Sequence, residues 1–200
     1  MLRASFGERE AALDGFVEDG GRRIRAAPRG VVAQWIAGNI PTLAIFSFVL
    51  AALAKNVTLV RVPRESLPIV ARMLGKLAEV PGGALILDGA AFFYFPGEDR
   101  ALHAALSLAA DARVVWGGAD TLGAVLGLPR HEHCEDIVFG PKFSVGLVDG
   151  AGRARLVGGG DAARALIRDV MLFDQAACFA FRFGKTQGYG NVDDSGVGLA

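Results

Sequence analysis

The chain has 200 residues, 52% of them apolar, and carries 21 Lys plus Arg against 21 Asp plus Glu, so its formal net charge is zero. That length fits one large domain, or one domain and part of a second, and the apolar fraction supplies a sizeable core. The charge balance argues against a nucleic-acid-binding protein, which shows a basic excess, and two cysteines, Cys134 and Cys178, make no disulfide framework.

Residues 3–25 read as a charged helix or an irregular lead-in, with no apolar run of the kind that opens a secretory leader. A strand is predicted over 31–37, followed by the turn Gly38-Asn39-Ile40-Pro41 and a helix over 43–54. That helix is the most apolar stretch of the chain. It is too short to cross a bilayer and ends at Lys55 and Asn56, so a buried helix is expected and no membrane span. Free thiols without a leader fit a cytoplasmic protein.

β-branched residues predict a strand over 57–62, stopped by Pro63. Leu67, Val70, Leu74 and Leu77 share one face of a helix over 66–78. An aromatic strand over 90–95 ends at Pro96-Gly97, and a helix over 98–109, a strand over 113–116 and a helix over 119–126 follow. Strands over 136–139 and 143–148 precede a helix that Asp161 caps and that runs to about residue 173.

Repeated strand–helix alternation predicts an α/β fold with a Rossmann-like, doubly wound, mainly parallel sheet. Such sheets bind ligands at the carboxyl ends of their strands, which singles out the loops at 38–41, 62–65, 117–118 and 139–142. The expected division is a lead-in over 1–28, a nucleotide-binding domain over 29–173, and over 174–200 the start of a catalytic domain with an irregular tail.

Four local patterns carry chemistry or mimic it. Cys178 follows a helix in Asp174-Gln175-Ala176-Ala177-Cys178-Phe179, as a buried structural thiol would, or as a nucleophile toward a thioester. The turn holding Asn39 is ordinary turn chemistry, or it presents an amide as an oxyanion donor. Gly117-Gly118 opens a helix after a strand, where glycines let a phosphate approach main-chain N–H groups. His131, His133 and Cys134 crowd into one loop, which suits a solvated turn better than a four-ligand zinc site, so no metal is expected.

Five segments in order resemble the long-chain fatty acyl-CoA reductases of the aldehyde dehydrogenase superfamily. They are Ala37-Gly38-Asn39-Ile40-Pro41, residues 56–63, Val114-Val115-Trp116-Gly117-Gly118, residues 136–144, and Phe173-Asp174-Gln175-Ala176-Ala177-Cys178. The resemblance implies an aldehyde-dehydrogenase-type sheet, Cys178 as the acyl-accepting nucleophile and Asn39 as the oxyanion amide. It places Arg61 and Pro63 where relatives meet the cofactor's adenosine ribose, with arginine in place of the usual lysine; a guanidinium also holds a ribose or its 2′-phosphate. Gly117 and Gly118 fall in the loop facing the pyrophosphate.

The implied reaction is NADPH-dependent reduction of acyl-CoA, or of an acyl-enzyme thioester, to an aldehyde, with NADH as the alternative cofactor. Val138 stands where hydrolytic relatives carry a water-activating glutamate, which favours reduction over oxidation to an acid. The pattern stops soon after Cys178, so a truncated or frame-shifted reading frame is expected, one that reduces acyl-CoA poorly or not at all but whose encoded face is compatible with cofactor binding. Homo-oligomers or an acyl-transfer partner are implied for full-length relatives. The alternative reading is a nucleotide-binding module without catalysis. If the reductase reading holds, Asn39 and Cys178 meet at the carboxyl edge of the sheet and Arg61 faces the cofactor crevice.

Overall fold

The computed structural model describes residues 7–141 and 150–171. Two compact units divide the chain, residues 1–141 and 142–200.

The first unit is built on five parallel strands: β3 (Val31–Trp35), β4 (Val57–Arg61), β5 (Ala90–Phe93), β6 (Ala112–Trp116) and β7 (Glu135–Phe139). They lie in the order β5-β4-β3-β6-β7. β3 is central and almost wholly buried, which its near-continuous apolar run demands of a strand covered on both faces. From β3 the chain steps outward to β4 and β5, then returns to β6 on the other side. The strand order therefore reverses between β3 and β6, the arrangement of a doubly wound dinucleotide fold.

Helices cover both faces. On one lie α1 (Thr42–Leu53), α2 (Leu67–Ala78) and α3 (Gly83–Asp88), which bury Ile36, Phe48, Val60, Val62 and Val70. On the other lie α4 (Arg100–Leu108) and α5 (Ala119–Leu126), packed over Ala33, Trp35, Val115 and Cys134. Asp99 caps α4, its side chain accepting from Leu102 N at 3.1 Å.

A charged knot holds the β7 edge. Arg113 is fully buried; its Nε and Nη2 donate to the two carboxylate oxygens of Asp136 at 2.6 and 2.8 Å. Its Nη1 donates to Ser107 Oγ and to the carbonyl of Val125. Arg130 adds a second cation to Asp136 at 3.0 Å. Where β3 begins, Asn56 Oδ1 accepts from the amides of Arg29 and Gly30, and Asp111 Oδ2 accepts from Val31 N. Gly30 has φ +119, and a Cβ there would stand 2.2 Å from Asp111 Oδ2, so the entry into β3 requires glycine.

The strands and helices read from the sequence within 31–139 are present, with ends shifted by a residue or two. Two further elements appear. Residues read as a helix or irregular lead-in contain a 3-10 helix, Gly7–Leu13, and a hairpin of β1 (Val17–Asp19) and β2 (Arg22–Ile24). Gly20 and Gly21 turn the hairpin with φ +56 and +76, and strands of three residues are too short to show alternation in sequence. The short α3 hides behind the glycines at 82 and 83.

In the second unit the described residues form α6 (Gly150–Val157) and α7 (Asp161–Met171). The strand expected over 143–148 and the segment 174–200, Cys178 included, lie outside the described residues. Among the described residues no helix is long and apolar enough to cross a membrane.

The knot makes a quantitative prediction. Asp136→Ala strands the buried Arg113 guanidinium and is expected to cost about 3–5 kcal/mol, read as a fall in the urea midpoint.

Candidate cofactor crevice

Parallel strands end on the same side, so the loops after β3, β4 and β6 share one carboxyl edge. Asn39 lies exposed in the first, Arg61 ends β4 and Pro63 lies in the second, and Gly117 and Gly118 form the third. The β3 and β6 loops flank the point where strand order reverses.

Each loop is close-packed for a physical reason. A Cβ on Gly38 would lie 2.8 Å from Glu65 Oε1 and 3.4 Å from Pro63 Cγ, so glycine lets the β3 and β4 loops close on each other. Pro63 itself is buried and extended, with φ −61 and ψ 147. Gly117 N donates to the Phe139 carbonyl at 3.3 Å, and a Cβ there would meet Thr121 Cβ at 2.7 Å. Gly118 differs: a Cβ there would meet nothing within 4 Å, and α5 starts beside it without a side-chain cap. First-turn N–H groups of a helix can donate to an anion, and this first turn also carries Asp120.

Trp116 forms a wall at the end of β6. Its ring stacks on Phe139 at 3.7 Å, nearly parallel at 6°, and its Nε1 donates to Ser47 Oγ at 3.1 Å.

Arg61 is half-buried and points toward the β5–α4 turn. Its Nη2 donates to the Phe95 carbonyl at 3.1 Å, and its guanidinium carbon lies 5.8 Å from the ring centres of Tyr94 and Phe95. Its Nε is buried without a hydrogen-bond partner among the described residues. Beside it sits His103, a residue that sequence reasoning passed over. Burial first, and the charge of Arg61 second, hold the imidazole below the ordinary histidine range; Asp99 and the carbonyls of Gly97 and Pro96 oppose them. A lone histidine in an amphipathic helix carries no sign of this. Its main partner, Trp35, is 68 residues away in sequence.

The remaining candidates separate. Cys134 is turned into the core, where burial pushes its thiol up. His131 and His133 are exposed, His133 beside Glu132 at 3.1 Å. Among the described residues no three His, Cys, Asp or Glu side chains gather to hold a metal. Val138 lies half-exposed on β7. The distance between Asn39 and Cys178 lies outside the described residues.

His103 gives a pH dependence with a definite sign. A histidine whose folded pKa is depressed contributes stability that is fully present above its unfolded value and is lost as pH falls through that value toward the folded one. The urea midpoint is therefore expected to fall once pH drops below about 6.5, the ordinary value, and His103→Gln is expected to flatten that part of the profile.

Comparison with known proteins places the sequence in a family. The profile of the acyl-CoA reductase (LuxC) family matches residues 1–183. Long-chain acyl-protein thioester reductase 2 of Photobacterium leiognathi is 26% identical over 171 residues, covering 84% of this chain and 34% of that protein. The long-chain acyl-protein thioester reductase of Vibrio harveyi is 29% identical over 170 residues with the same coverage, and that of Aliivibrio fischeri is 26% identical over 170. The chain thus spans about a third of the length of the curated relatives it matches. With the profile covering most of its length, the chain belongs to the LuxC acyl-CoA reductase family.

Proposed function

We propose that this chain carries the cofactor-binding face and the nucleophile of a reductase that converts a long-chain acyl thioester, on CoA or on a protein, to an aldehyde. NADPH is the favoured cofactor and NADH the alternative. The observation that carries this reading is the gathering of Asn39, the Arg61–Pro63 turn and Gly117-Gly118 at one carboxyl edge, beside the reversal of strand order.

The residues present fit a dinucleotide. Gly118 leaves open space at the start of α5 for a pyrophosphate. Arg61 offers a half-buried guanidinium at the β4 strand end for the ribose or its 2′-phosphate. When bound, the reduced nicotinamide supplies the hydride that reduces the thioacyl carbon.

The chain's own residues do the rest. The Cys178 thiolate attacks the thioester carbonyl; a new carbon–sulfur bond forms, the bond to the carrier sulfur breaks, and the carrier leaves as its thiolate. The Asn39 amide and the main-chain N–H of Cys178 donate to the tetrahedral oxyanion. After reduction, Cys178 departs as thiolate while the aldehyde carbonyl forms. Val138 offers no base to activate water, so the thioacyl group persists long enough to be reduced.

Three measurements test the reading. NADPH is expected to bind the purified chain saturably, and Arg61→Ala to weaken binding about tenfold, the size of one charged hydrogen bond. Gly118→Val is expected to weaken binding while leaving the thermal midpoint near that of the unmodified chain. Incubation with a long-chain acyl-CoA is expected to add one acyl mass at Cys178, lost in Cys178→Ala and slowed about a hundredfold in Asn39→Ala. A chain that neither binds the cofactor nor becomes acylated sinks the proposal.

A further inference from the structure

The aromatic cluster at the β4–β5 corner serves no step described above. Trp35 Nε1 donates to Nδ1 of His103 at 2.9 Å. That bond needs an unprotonated Nδ1, so the neutral ring carries its proton on Nε2. The imidazole stands edge-on to Phe95, with ring centres 4.7 Å apart at 81°. The Phe95 carbonyl in turn accepts from Arg61 Nη2 at 3.1 Å, and the Phe95 and Tyr94 rings flank the guanidinium. A chain of contacts therefore runs from the centre of the sheet, at Trp35, through His103 and Phe95, to Arg61. The charged groups facing His103 are Arg61 on β4 and Asp99 at the start of α4.

We propose that His103 is a positioning residue for the cofactor: by clamping Phe95 to Trp35 it fixes the turn that aims Arg61 at the adenosine end of a nicotinamide dinucleotide. This rests on the cofactor reading above and adds a control to it. Protonation puts a donor on Nδ1 where the Trp35 N–H already points, and a second cation beside Arg61. The clamp then opens and the grip on the cofactor weakens in acid.

The test is equilibrium binding to the 200-residue chain over a pH series that runs from about 7.5 down to the lowest pH at which the chain stays folded. NADH is titrated alongside NADPH, because the 2′-phosphate has its own ionisation near that range and NADH lacks it. Both cofactors are expected to bind the unmodified chain progressively more weakly as the pH falls below the ordinary histidine range, approaching a loss of about fivefold, the size of one modest hydrogen bond, as His103 protonates. A folded unmodified chain with no acid loss anywhere in the series overturns the inference. His103→Leu removes the acceptor and is expected to weaken binding about tenfold across the series. His103→Gln restores an acceptor for Trp35 without a titrating group, so neutral-pH affinity returns and the acid loss disappears.

Circular dichroism at each pH checks that the variants are folded. A folded His103→Leu chain that binds like the unmodified one, or a His103→Gln chain that keeps the acid loss, overturns the inference and leaves the cofactor reading intact. Absence of cofactor binding by the unmodified chain overturns both.

Discussion

A fully buried guanidinium organises the β7 half of this domain. Arg113 has no access to water, so its donors must find acceptors inside the protein. It finds them on separate elements: Asp136 on β7, Ser107 at the end of α4, and the carbonyls of Val125 and Leu128 at the end of α5. Arg113 and Asp136 are also register partners, so the bidentate pair fixes β7 against β6 along its whole length. A slip of one residue would turn Asp136 to the other face and leave the charge unpaired.

The candidate site inherits that register. With Arg113 opposite Asp136, Trp116 lies opposite Phe139, where their rings stack, and Gly117 N reaches the Phe139 carbonyl. The glycine loop thus rests on a strand that the buried ion pair holds in place. The edge of β7 is apolar, with Ile137, Val138 and Phe139 all partly exposed. Apolar contact alone would hold it weakly, which is why a directional, charge-assisted pair matters there. At the amino-terminal end, Asn56 and Asp111 do similar work by accepting main-chain donors that β3 leaves unpaired as it begins.

The β4 side uses aromatic packing around a cation. Arg61 sits among Tyr94, Phe95 and His103, and low solvent exposure strengthens each polar contact while making an unpaired atom costly. The buried Nε of Arg61 is such an atom. Gly118 differs again, with open space rather than packing beside a helix start. The edge therefore places a cation beside the β4 strand end and a helix N-terminus, with Asp120 in its first turn, beside the β6 strand end.

Local chemistry made most of the sheet legible in the sequence. The β-branched content of 57–61 and the valines of β3 and β6 favour strands, and the apolar stripe of α2 has the spacing of one helix face. The loops that matter followed from strand order, because parallel strands put their exits on one side. The hairpin at 17–24 and the short α3 escaped because each spans too few residues to display a period. What only the tertiary structure decided is which side chains meet. Arg113 is an ordinary arginine in a strand until Asp136 is 23 residues away in sequence and 2.6 Å away in space. His103 is an ordinary helical histidine until Trp35, 68 residues earlier, points its indole N–H at it. Side-chain partners across a sheet are set by register and layer packing, and neither is written in the composition of any one segment.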